Sequence, residues 1–260
     1  MNSINIKLPV TSTGAVTKNP RKIFLFAHTK CGKTTLASKL KNNLIIDLEN
    51  GSDFIDGMKI NVVKEAKASG VSVLDYLKAL ADQLRSSEHR YDYITMDTAT
   101  ALEDLATQLA TILYRASPTG KNFTGTNVIT ELPNGAGYAW LRMAFEKIYG
   151  LFDGLAKECL IILGHVKSAS INKDGKDLEV RDLNLTGKMK LIVSADVDAI
   201  GFLYRSSKDP NELIVSFKTS ELDLATGSRA EHLRQEEFPI LTYDPATKTF
   251  KDSWNKIFIK

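Results

Sequence analysis

Apolar residues along the first two thirds of the chain fall into short continuous runs, separated by longer stretches with helical spacing. Ile23, Phe24, Leu25 and Phe26 make one run, Leu44 to Ile46 a second and Cys159 to Leu163 a third, and Tyr91 to Asp97 reads as a further strand that ends in a carboxylate. A run without alternation suits a strand covered on both faces, because side chains pointing up and down both meet an apolar layer. Ile60, Val62 and Val63 suggest a further short strand. Lys33 to about Lys41 reads as a helix. Val73, Leu74, Leu77, Leu80, Ala81 and Leu84 recur on one helical face, behind a start at Ser72 and Asp75 that can cap the first amides. Thr98 to Tyr114 is the next helix, and Leu141, Phe145, Ile148, Phe152 and Leu155 mark the face of another.

The remainder is less regular. Residues Arg115 to Gly135, with Pro118, Gly120, Gly125 and Pro133, read as a long loop, and Lys167 to Lys190 as a polar stretch. Ala199 to Tyr204 and Leu213 to Phe217 suit a hairpin around Asp209-Pro210-Asn211, and Ile240 to Tyr243 suits a last strand. Strands alternating with helices predict an α/β fold with a mainly parallel central sheet, helices on both faces and added antiparallel edge strands. Residues 1–20 lack apolar periodicity and are expected to form an arm outside the core, mobile or docked on a neighbour, leaving residues 21–260 as one domain.

Composition changes this picture little. Of the 260 residues 43% are hydrophobic and 25% charged, which suits a packed globular domain. The net charge of +3 is too small to hold a polyphosphate by itself, so any nucleic-acid partner needs a local patch. Two cysteines, Cys31 and Cys159, make no disulfide framework, and no apolar run has the length of a membrane span. A cytoplasmic protein without a membrane partner is therefore expected.

The segment Ala27-His28-Thr29-Lys30-Cys31-Gly32-Lys33-Thr34-Thr35 carries the clearest chemistry. It follows the phosphate-loop pattern G-x-x-x-x-G-K-[ST], with Ala27 where the first glycine usually stands, and it lies between a strand and a helix. A loop that turns its amides inward offers several donors to a dense anion. Gly32 lets the backbone approach, Lys33 reaches the β- and γ-phosphates, and Thr34 supplies a hydroxyl to Mg²⁺. Alanine lacks glycine's access to positive φ, so the first turn of the loop is expected to differ from the usual one. Asp97 ends its apolar strand where a carboxylate can hold the metal, and it can equally cap the helix that follows. Glu49, with Asp47 as second choice, is placed to activate an attacking water.

With these residues in hand, the chain resembles the RecA-like P-loop ATPases, most closely their phage branch of nucleotide-binding and single-strand annealing proteins. The resemblance runs from Lys22 to Tyr243. It rests on the phosphate loop, on Asp47-Leu48-Glu49-Asn50-Gly51, on Met96-Asp97-Thr98, on the Gly135-to-Trp140 segment, on Leu163-Gly164-His165, and on Leu185-Thr186-Gly187-Lys188 ahead of Asp196-Val197-Asp198. It implies a RecA-like core, ATP and Mg²⁺ as ligands, Glu49 as catalytic base and His165 as the γ-phosphate sensor in place of a common glutamine. It also implies self-association into a ring or filament, with a basic residue such as Lys218 or Arg229 reaching a neighbour's nucleotide. Single-stranded DNA would be the partner, held by the stretches 115–135 and 167–190. The charges speak weakly for DNA, since six cations face four acids between Lys167 and Lys190. An ATPase acting on single-stranded DNA in phage recombination or replication is the expected function. A nucleotide-responsive protein-interaction module with slow hydrolysis is the alternative.

Overall fold

The computed structural model describes residues 8, 10–87, 91–173, 176–220 and 225–260, with the backbone alone at 169, 171, 173 and 176–179. Its strands are β1 (Lys22–Ala27), β2 (Asn43–Asp47), β3 (Lys59–Asn61), β4 (Tyr93–Asp97), β5 (Cys159–Lys173), β6 (Lys176–Leu183), β7 (Ala199–Arg205), β8 (Glu212–Ser216), β9 (Gly227–Ser228), β10 (Glu237–Asp244) and β11 (Thr249–Asp252). Its helices are α1 (Lys33–Ser38), α2 (Val62–Ala68), α3 (Val73–Ser86), α4 (Ala99–Ala116), α5 (Val128–Glu131), α6 (Gly137–Tyr149) and α7 (Met189–Asp196).

The strand order is β11-β10-β8-β7-β1-β5-β4-β2-β3. From β3 to β7 every neighbouring pair is parallel, and β8, β10 and β11 extend the sheet antiparallel. This is the mainly parallel α/β sheet with antiparallel edge strands that the sequence pattern predicts. Along β1 the side chains alternate. Phe24 and Phe26 enter the layer under α2 to α7, whereas Ile23, Leu25 and Ala27 enter the layer formed with α1, Trp254 and Ile257. Both layers are fully apolar, which is why the strand reads as an unbroken run; each buried ring contributes about 1.5–3 kcal/mol. Gly164 on β5 makes room for this packing, because a Cβ there would lie 2.4 Å from the Phe24 ring.

Four expectations need correction. Val62 and Val63 do not extend a strand but open α2, because the Asn61 side chain accepts the Lys64 N–H and caps the helix. The first helix stops at Ser38 rather than near Lys41, since the Asn43 side-chain amide takes up the Ala37 carbonyl. Residues 115–135 are no open loop. The segment contains α5, capped by Asn127, while Val128 is buried and Phe123 packs edge-on against Tyr114 at 5.2 Å. The stretch 167–190 is ordered too. β5 runs on past the sheet and pairs antiparallel with β6, from Val166↔Leu183 to Lys173↔Lys176, and α7 begins at Met189. The ribbon interleaves polar residues such as Lys167, Ser168, Ser170 and Asn172 with few apolar ones, so its sequence looks like loop.

Residues 10–18 of the expected arm are exposed or nearly so, and Asn19 exchanges hydrogen bonds with Ile259 at 2.8 and 2.9 Å; residues 1–7 and 9 lie outside the described residues. Among the described residues, no helix is long and apolar enough to cross a membrane.

Candidate functional site

Parallel register gathers the chemistry at one edge of the sheet. Ala27 of β1 lies opposite His165 of β5, Asp97 of β4 lies opposite Leu163 of β5, and Asp47 of β2 lies opposite Asp97. Strand ends from four separate stretches of sequence therefore meet around the loop that joins β1 to α1.

That loop turns late. Ala27 is the last residue of β1, fully buried and paired on both sides, with His165 and with Leu203 of β7. An extended residue needs no positive φ, so alanine fits where glycine is usual. The left-handed positions are Lys30, at φ 62°, and Gly32, at φ 111°. His28, Thr29 and Lys30 are exposed, and the Cys31 N–H donates to the His28 carbonyl at 3.3 Å. Burial pushes the Cys31 thiol up, against the opposing pull of Arg205 and Lys33.

The Lys33 side chain folds inward and is only 6% exposed. Its ammonium donates to the His28 carbonyl at 3.2 Å and lies 3.4 Å from His165 Nδ1. Burial lowers its pKa, while Asp97 and Glu49 pull the other way without closing an ion pair to it among the described residues. Beside it the Thr34 hydroxyl donates to Asp97 Oδ2 at 2.5 Å. Asp97 is 4% exposed, and burial, with the nearby charges of Glu49 and Asp47, pushes its carboxyl up to about 6 in spite of Thr34 and Lys33. Thr35 is half-buried in the first turn of α1.

The two acids at the end of β2 have separate fates. Asp47 is buried and accepts the N–H groups of Glu49, Gly51 and Ser52 at 2.9–3.3 Å, together with the Ser52 hydroxyl at 2.6 Å. Its lone pairs are used in shaping the turn. Glu49, released by that turn, points into the cleft, where the Thr98 hydroxyl donates to it and His165 Nε2 lies 3.2 Å away. An ammonium can only donate, so the Lys33 contact makes Nδ1 of His165 the acceptor and leaves Nε2–H to donate to Glu49. His165 thus sits between the buried cation and the free acid. It also lies where β5 leaves β1 and begins to pair with β6, since Val166 is the first ribbon pair.

Thr29, Lys33, Thr34, Glu49, Asp97 and His165 line one cleft of about 230 Å³, with Ile55 at its wall. That is below the usual size of a whole ligand pocket, but ample for a chain of phosphates and a small cation. Three residues to which the sequence assigned no role in the site belong to the setting. Thr98, read beforehand only as a helix start and within the Met96-Asp97-Thr98 segment, holds Glu49; Ile55 closes the wall; Arg205 places Nη2 3.1 Å from where a Gly32 Cβ would be. Lys218 and Arg229 lie elsewhere. Lys218 pairs with Glu237 at 3.3 Å. Arg229 pairs with Asp198 at 3.6 Å and donates to the Ala195 carbonyl, at the opposite edge of the sheet, where β7 begins. Among the described residues, no group of three or more His, Cys, Asp or Glu side chains could hold a metal.

A family model described as an AAA domain matches residues 19–233. The crystal structure of the RadB recombinase is similar at a TM-score of 0.42 and 10% identity, over 90% of this chain and 92% of that one. A search of curated proteins finds no match.

Proposed function

The chain belongs to the AAA-domain family, and on that premise we propose that it binds ATP with Mg²⁺ and hydrolyses it at the cleft between the β1–α1 loop and the ends of β2, β4 and β5. The observation that carries the reading is the buried Lys33 ammonium, set with no ion-pair partner among the described residues beside the Thr34–Asp97 pair and the Glu49–His165 pair. A buried cation is costly unless matched by negative charge, and a polyphosphate supplies it.

The residues fit the ligands. Thr34 and Asp97 offer two hard oxygen donors 2.5 Å apart. Magnesium keeps several waters and needs few protein ligands, so a cage of three or more acidic side chains is not required. Thr34 and Asp97 would hold the metal, which when bound would neutralise phosphate charge. Lys33 then holds the β- and γ-phosphates, and the amides from Thr29 to Thr35 surround them. Glu49 accepts a proton from water, held in orientation by Thr98 and His165. His165, whose Nδ1 faces Lys33, is placed to change partner when a γ-phosphate arrives, and so to report its presence to the β5–β6 ribbon. Calorimetry with ATP and Mg²⁺, followed by phosphate release, tests the proposal. Saturable heat and steady turnover are expected, and absence of both from folded protein would end it.

The finer reading is that turnover acts on single-stranded DNA, with several copies of the chain assembled around the strand. Its support is the sequence resemblance and the ribbon that continues directly from His165. The near balance of charge between Lys167 and Lys190 favours a second reading, in which the ribbon grips a protein. Lys190 moreover pairs with Asp182, so one of those cations is already committed. Filter binding of single strands with and without ATP separates the two, since no retention in either state leaves the ATPase and removes the DNA.

A further inference from the structure

The site as described accounts for phosphates and metal but not for the rest of a nucleotide. Every residue lining the cleft comes from the loop, from α1 or from the β5, β4 and β2 side of β1. On that side Glu49, Ile55, Asp97 and His165 close the wall. A phosphate chain whose terminal end faces Glu49 must therefore direct its nucleoside toward the other neighbour of β1, which is β7.

Arg205 is the last residue of β7, and it is exposed. Its Nη2 lies 3.1 Å from the Cβ position of Gly32, so the guanidinium rests beside the phosphate loop, carried there by β7. Among the described residues it makes one hydrogen bond, from Nη1 to the Asn211 carbonyl at 3.4 Å, which ties it to the turn between β7 and β8. Its other N–H donors take no partner among the described residues, and the group is exposed, so a ligand can reach it. A planar cation of this kind stacks on heteroaromatic rings, which lysine does only poorly, and it can also donate to sugar hydroxyls.

We infer that Arg205 is a nucleoside-contacting residue, reading the base and ribose of the bound nucleotide rather than its phosphates. The inference rests on the proposed nucleotide site and adds to it the surface that distinguishes a nucleotide from a bare polyphosphate. It also gives a reason for Gly32 beyond its φ, because any side chain there would displace the guanidinium.

Calorimetric titration of Mg·ATP and of inorganic tripolyphosphate with Mg²⁺ tests it, on the parent chain and on Arg205→Ala, Arg205→Lys and Lys33→Ala. Removing a stacking partner of a base commonly costs about tenfold in affinity or more. Arg205→Ala should weaken ATP by about that factor and leave tripolyphosphate within about twofold, and Arg205→Lys should behave like the alanine variant because it keeps charge but not the plane. Lys33→Ala should lose both ligands. Unchanged ATP affinity in Arg205→Ala would overturn the inference while the nucleotide site stands. An equal loss of both ligands would overturn it too, by placing the guanidinium on the phosphates. Binding of neither ligand by the parent would remove the nucleotide site and the inference together.

Discussion

Two lysines stand at opposite ends of the strand β1 and the loop that follows it, and they have opposite environments. Lys22, at the start of β1, is 14% exposed at its side chain and bridges Asp153 at 2.7 Å and Asp196 at 2.5 Å. Burial alone would lower its pKa, but the hydrogen bonds and charges of the two aspartates more than reverse this. Lys33, beyond the other end, is buried more deeply, and burial lowers its pKa despite the charges of Asp97 and Glu49; its near neighbours are a carbonyl and an imidazole. One end of the sheet satisfies its charges internally. The other holds a cation, two carboxylates and a histidine in contact but unneutralised, which is the arrangement expected where a ligand completes the balance.

The contrast can be broken most sharply at Lys33. Lys33→Ala should reduce Mg·ATP binding below detection by calorimetry while the melting temperature holds or rises, since a buried unpaired ammonium opposes folding. Tight binding by that variant would place the nucleotide elsewhere. Next in size, Glu49→Gln should leave ATP affinity nearly intact and slow phosphate release about a hundredfold or more, the usual contribution of a general base. Asp47→Asn should instead lower the melting temperature, because Asp47 serves the turn. Equal hydrolysis by parent and Glu49→Gln would move the base to another residue.

A smaller effect follows from Asp97. Its carboxyl titrates near 6, and the metal needs the ionised form, so protons compete with Mg²⁺ below that pH. Affinity for Mg·ATP should fall about tenfold between pH 7 and pH 5. The nucleotide's own titration is removed by comparison with Asp97→Asn, which should lack the step. In the absence of ligand the same raised pKa means that Asp97 favours folding at acid pH, and that this contribution is lost as pH climbs through about 6. The smallest effect belongs to the other end. Lys22→Ala should lower the melting temperature by a few degrees without changing ATP affinity, since its partners Asp153 and Asp196 are roughly half exposed and solvent screens much of the interaction.

Legibility in the sequence followed how much of each feature was local. The strands β1, β2 and the first part of β5 were readable because burial on both faces leaves an unbroken apolar run, and β4 because only Thr95 interrupts its apolar positions before Asp97. α3 was readable because its cap and its spacing agree. The ribbon of β5 and β6 was not, since its mostly polar sequence carries no clear strand period, and α5 was too short for a period. The same division runs through the site. Gly32, Lys33 and Thr34 announce themselves as neighbours in sequence. Thr98, Ile55 and Arg205 have roles that depend on which strand lies beside which.

By itself the chain determined its layered α/β plan and its phosphate loop, because both are set by short-range spacing of apolar, glycine and lysine positions. Only the tertiary structure decided that Glu49 rather than Asp47 faces the cleft, that His165 stands between Glu49 and Lys33, and that Arg205 presses on Gly32. Those outcomes depend on strand order and register, which bring together residues far apart in sequence, and no local pattern encodes the distance between them.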